Sequence, residues 1–174
     1  MSTRILFVRA VNVGGASLPM AEFRELLAEL GAGQVRTYIA SGNAIADVQG
    51  DSEAFDRAVE AAVEARFGYR REVMSRTPEQ LRSALAAHPF EVVNPGFSYL
   101  SFLASEPTAD AIAAAQAVPR GADEWAVIGR ELHLRYAKGA GRAELSQEAL
   151  TRRLEVPATG RNLRTVAKLV ELST

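Results

Sequence analysis

The chain has 174 residues and a mass of 18.7 kDa, enough for one generous domain or two small ones that need neither metal nor disulfide to fold. Hydrophobic residues make up 48% and charged residues 24%, which excludes a disordered chain, and 20 Lys+Arg against 21 Asp+Glu give no net charge that would advertise nucleic acid, membrane or an acidic substrate. The lack of cysteine removes disulfide frameworks, thiolate metal sites and cysteine nucleophiles together.

In chain order, the apolar run Ile5–Val11 predicts a buried strand that leaves through the turn Asn12-Val-Gly-Gly15. Met20, Phe23, Leu27 and Leu30 recur at helical spacing after Pro19, and Gly31 and Gly33 stop that helix. Val35–Ile39 and Ala44–Val48 are short strands around the turn residues Ser41-Gly-Asn43, a hairpin. Phe55, Val59, Val63 and Phe67 mark one face of a helix over Ser52–Phe67, and Arg70–Ser75 is the next strand. This order, β-α-β-β-α-β, is the ferredoxin-like unit. Thr77-Pro-Glu-Gln80 has the form of a capping box opening a further helix, and Ala87–Gly96 is the best linker. Then come a strand (Phe97–Leu103), an Ala-rich helix (Thr108–Ala117), two strands meeting at Ile128-Gly-Arg130, and two closing helices, Ser146–Glu155 and Leu163–Leu172. The expected architecture is α+β, two ferredoxin-like halves with antiparallel sheets and extra C-terminal helices. Residues 1–76 form the first half, 77–96 a connecting helix and linker, and 97–174 the second half.

No signal-peptide core or membrane-length apolar window is present, so the expected location is cytoplasmic, with no membrane partner. P-loop, Gly-x-Ser-x-Gly and HExxH motifs are absent. The two histidines are far apart in sequence. His133 alternates with Leu132 and Leu134 and reads as a solvent-facing strand residue, and His88 as a helix-end or loop residue, where an imidazolium suits the helix dipole. No metal site and no cofactor are expected. Neutrality hides polarity: Ala44–Glu64 holds six acids and one base, and Arg130–Lys168 nine bases and four acids. Either run reads as a solvated surface, or the second as an anion-binding region.

Three polar clusters can hold an anion. Arg9, Asn12, Gly14 and Gly15 follow the first strand; Tyr38, Ser41 and Asn43 form the hairpin corner. Arg142 lies in a Gly-rich loop, while Arg161 and Asn162 precede the last helix, where Asn162 suits the N-cap and a cation needs an anion or an internal acid to offset the helix dipole.

The segments Arg9-Ala-Val-Asn-Val-Gly-Gly15, Tyr38-Ile-Ala-Ser-Gly-Asn43, Gly141-Arg142 and Pro157-Ala-Thr-Gly-Arg-Asn162, with Met20 and Thr165, resemble the bacterial domain-of-unknown-function family 1697 from about Ile5 to Leu172. The resemblance implies two ferredoxin-like halves and no chemistry. The family's opening usually reads Arg-Gly-Ile-Asn-Val-Gly-Gly, where this chain has Ala10-Val11, and a Lys common after the Gly pair is missing. Three functions compete: binding of a small anionic, phosphorylated ligand between the two halves by the ten residues above; an enzyme of unassigned reaction on a phosphorylated or carboxylated metabolite; and a nucleic-acid-binding or structural module. Nucleic acid is disfavoured, because Ala44–Val48 carries no stacking aromatic. The oligomeric state is left open.

Overall fold

The opening apolar run becomes β1 (Ser2–Val8), in which Ile5, Leu6, Phe7 and Val8 are all buried. A strand buried on both sides is the centre of a sheet, and β1 pairs antiparallel with two neighbours, β3 (Asn43–Val48) and β4 (Val73–Arg76). With β2 (Gly33–Tyr38) hairpinned to β3, the first sheet has the order β2-β3-β1-β4. Helices α1 (Met20–Glu29) and α2 (Ser52–Phe67) supply Phe23, Leu26, Leu27, Val59 and Val63 to a core that takes Leu6, Val8, Ala44, Ala46 and Val73 from one face of this sheet. The Asp51 carboxylate accepts from the Ala54 amide to cap α2, and Gly68, at φ 81°, ends it. The predicted strand at Arg70–Ser75 starts later than its sequence suggests: Arg70 and Arg71 stay outside the ladder.

Helix α3 (Pro78–Ala86) opens with the capping box read from the sequence. The Thr77 amide donates to Gln80 Oε1 at 2.9 Å and the Gln80 amide to Thr77 Oγ1 at 3.1 Å. Beyond it lie β5 (Ser98–Leu103), α4 (Ala109–Ala115), β6 (Glu124–Ile128), β7 (Glu131–Arg135), α5 (Gln147–Leu154), β8 (Ala158–Asn162) and α6 (Leu163–Leu172). The second sheet, again antiparallel, has the order β6-β7-β5-β8, the same permutation as the first. The full β-α-β-β-α-β is therefore repeated. The sequence alone shows one strand fewer in the second half, because Ala-Thr-Gly-Arg-Asn has no apolar alternation and takes its strand character from pairing with β5.

This computed structural model describes all 174 residues. The chain divides into unit 1, Met1–Arg82 with Leu169–Thr174, and unit 2, Ser83–Lys168. The unit 2 core joins Leu103, Ala115, Trp125, Leu132, Leu134, Leu150 and Leu154. No helix is long and apolar enough to cross a membrane.

Candidate functional site

In unit 1 the chain leaving β1 makes a tight excursion. Arg9 turns away with its amide on the Glu72 carbonyl and its guanidinium 3.2 Å from the Glu72 carboxylate. Ala10, Asn12, Gly14 and Gly15 then all take positive φ (51°, 57°, 69° and 122°). Asn12 holds the excursion closed. Its amide donates to the Ala16 carbonyl at 2.7 Å, its Oδ1 accepts from the Leu18 amide at 2.8 Å, and its Nδ2 donates to the carbonyls of Leu18 and Ala40. The last of these ties the loop to the β2–β3 corner. There Asn43, fully buried, donates to the Tyr38 carbonyl at 3.1 Å and to Ser41 Oγ at 2.9 Å. Gly42 admits no side chain: a Cβ would stand 2.7 Å from Val11.

The first two clusters read from the sequence thus come together as two bonded loops. Asn12 is committed to backbone groups, and Asn43 to the Tyr38 carbonyl and Ser41 Oγ. The amides of Val13, Gly14 and Gly15, all exposed, have no acceptor in the protein. Arg71, which the sequence places inside a strand, instead lies outside the ladder and reaches the start of this excursion. Its Nε donates to the Ala10 carbonyl at 3.4 Å, its guanidinium lies 5.4 Å from the Tyr69 ring centroid, and Tyr69 donates to the Ser17 carbonyl at 2.6 Å. No carboxylate pairs with Arg71.

Two of the positive-φ residues here pay a steric cost. A side chain with a Cβ in the left-handed region costs roughly 1–2 kcal/mol, more when branched, and glycine avoids it. Ala10, at φ 51°, stands where the resembled family usually has Gly, and Ile39, at φ 50°, is β-branched. Ala10→Gly and Ile39→Gly are each expected to raise stability by about 1 kcal/mol in urea unfolding, against the usual destabilisation by glycine. A loss of stability in both would place the strain elsewhere.

In unit 2 the three sequence-predicted residues diverge in role. Arg142 ends a single 3₁₀ turn (Ala140–Arg142), and its exposed guanidinium has no partner. Arg161 is buried, donating to Thr159 Oγ1 at 2.7 Å and to the Gly160 carbonyl at 2.9 Å, and burial lowers its pKa to about 10. Asn162 caps α6 through a 2.9 Å bond from the Thr165 amide. The residue that organises the Arg142 loop is Asp123, which sequence reasoning missed. Buried, it accepts from the amides of Ala137, Glu144 and Leu145 at 2.8–3.0 Å. Its only signal in the sequence is an Asp in a Gly-containing turn before a strand.

Both histidine expectations are corrected. His133 is 1% exposed, and its Nδ1 lies 3.0 Å from Nδ1 of His88. Burial lowers the pKa of His133 to about 4, with the neighbouring His88 adding to the effect, and burial also lowers that of His88. So His88, in the loop past α3, is bonded to its fellow, and its burial works against a charge there. The alternation rule failed because it assumes one wet face, whereas Leu132, His133 and Leu134 are all buried. No group of three or more His, Cys, Asp or Glu is placed to hold a metal. The solvated reading of the acidic run is corrected at two of its six acids. Asp56 and Glu60 turn inward on α2: Glu60 takes Arg57, Arg70 and the Val73 amide, and Asp56 accepts from Ser75 Oγ at 2.8 Å.

A family model described as "Protein of unknown function (DUF1697)" matches residues 1–133, a stretch that contains both bonded loops. No curated protein matches the chain. Among solved structures, the conserved bacterial protein SP0830 from Streptococcus pneumoniae is similar over 99% of both chains, with a TM-score of 0.75 and 20% identity. At that identity the likeness is one of fold.

Proposed function

Because the chain belongs to the DUF1697 family of proteins of unknown function, a membership that brings no reaction with it, we propose from the site alone that unit 1 binds a small phosphorylated anion at the loop Arg9–Gly15. The observation that carries this reading is the run of three exposed amides, Val13, Gly14 and Gly15, without acceptors, in a loop whose Ala10 carbonyl is contacted by an Arg71 without an acidic partner. Successive N–H groups in left-handed turns form a concave donor set for an oxyanion, and a guanidinium adds charge-assisted bonds. Arg9 is close in sequence and offers a second guanidinium once its 3.2 Å contact with Glu72 loosens.

Titration of the ¹⁵N-labelled protein with inorganic phosphate, a sugar phosphate and a mononucleotide tests the proposal. The Gly14 and Gly15 amide signals are expected to shift with saturation, and Arg71→Ala to weaken binding about tenfold. No saturable shift at these amides with any of the three anions overturns it.

A further inference from the structure

Each four-stranded sheet has two free edges, and unsatisfied edges recruit other strands unless they are blocked. Three of the four are blocked. On β2 the register breaks between Gly33 and Arg36, and Arg36 is exposed. On β4 the Val73 amide is taken by Glu60 Oε1 at 2.9 Å and its carbonyl by Arg57 at 2.7 Å. On β8 the Gly160 carbonyl is taken by Arg161 at 2.9 Å. On β6, Glu124-Trp-Ala-Val-Ile128, there is no such device. It contains no Pro, Gly, Lys or Arg, it pairs in regular register with β7, and apart from that ladder no hydrogen bond reaches its backbone. Its one charge, Glu124, is held by Arg135 at 3.0 Å, and Ile128 is 42% exposed.

We propose that β6 is a docking edge and that its occupant is β6 of a second copy of this chain, paired antiparallel about Ala126 to join two sheets into one of eight strands. The strand is complementary to itself in that register. Trp125 meets Val127 of the other copy on the face already packed with apolar residues, Ala126 meets Ala126, and Glu124 meets Ile128, so no like charges are opposed. A contact of one short strand is small, so the association is weak and concentration-dependent.

Sedimentation of the full chain up to about 1 mM, in the range where small interfaces associate, tests this. A monomer–dimer equilibrium is expected, weakened about tenfold or more by Ile128→Glu, which sets two carboxylates opposite one another at each end, and spared by Ile128→Lys, which opposes Lys to Glu124. Both variants lose the same apolar side chain at an exposed position, so only this register separates them. A chain monomeric throughout overturns the proposal and leaves the edge to a strand of some other protein. A dimer indifferent to both substitutions, or weakened equally by both, also overturns it.

Discussion

Asp123→Ala is expected to cost unit 2 about 4 kcal/mol, because three backbone amides at the two ends of one loop lose their acceptor and at least one of them is buried. Orphaned amides cost roughly 1–3 kcal/mol each, and water reaches the more exposed ends, so the sum falls short of three full penalties. Asp123→Asn is expected to cost about half as much, since a carboxamide keeps one accepting oxygen but turns an N–H towards a donor. The single Trp, Trp125, is buried two residues along and reports the transition by fluorescence in urea. A loss under about 1 kcal/mol for the Ala variant would mean that the loop holds its shape without the carboxylate.

The second large effect is a pair of opposed pH dependences. His133, held neutral with a pKa of about 4, binds no proton in the folded chain in a range where the unfolded histidine, at 6.5, does. Its contribution is complete above pH 6.5 and is lost as the pH falls to 4, an effect of about 3 kcal/mol. Asp56 runs the other way. Burial raises its pKa from 3.8 to about 6, outweighing the Ser75 hydroxyl and the guanidiniums of Arg4, Arg57 and Arg76. The folded chain there keeps a proton that the unfolded chain releases, so its contribution is complete below 3.8 and is lost as the pH rises through 6, again by about 3 kcal/mol. Between pH 4 and 6 the two slopes oppose one another, one in each unit. Unfolding free energies at pH 7 and pH 4.5 should therefore diverge from wild type in opposite directions for His133→Asn and Asp56→Asn. Curves that stay parallel to wild type for both variants would show that neither group titrates abnormally.

What the sequence disclosed follows from what local patterns encode. The α2 periodicity, the Thr77–Gln80 box, the β2–β3 corner and the Gly129 turn are set by neighbours within a few residues, and all were legible. β8, the burial of His133 and the reach of Asp123 depend on partners far along the chain: Ala158–Asn162 on β5, His133 on His88, Asp123 on Ala137–Leu145. The clusters at Arg9–Gly15 and Tyr38–Asn43 were located as turns from their Gly and Asn content. That Asn12 bonds them together, and that Arg71 reaches the first, is a product of tertiary structure.

Unit 1 is interrupted in sequence, since Leu169–Thr174 rejoins it only after all of unit 2. During synthesis on the ribosome, at roughly 5–20 residues per second, every residue of unit 2 therefore emerges before the buried Leu169 that unit 1 needs. All four strands of unit 1's sheet are made before the first strand of unit 2, yet the unit whose translation began first is the last to acquire all its parts.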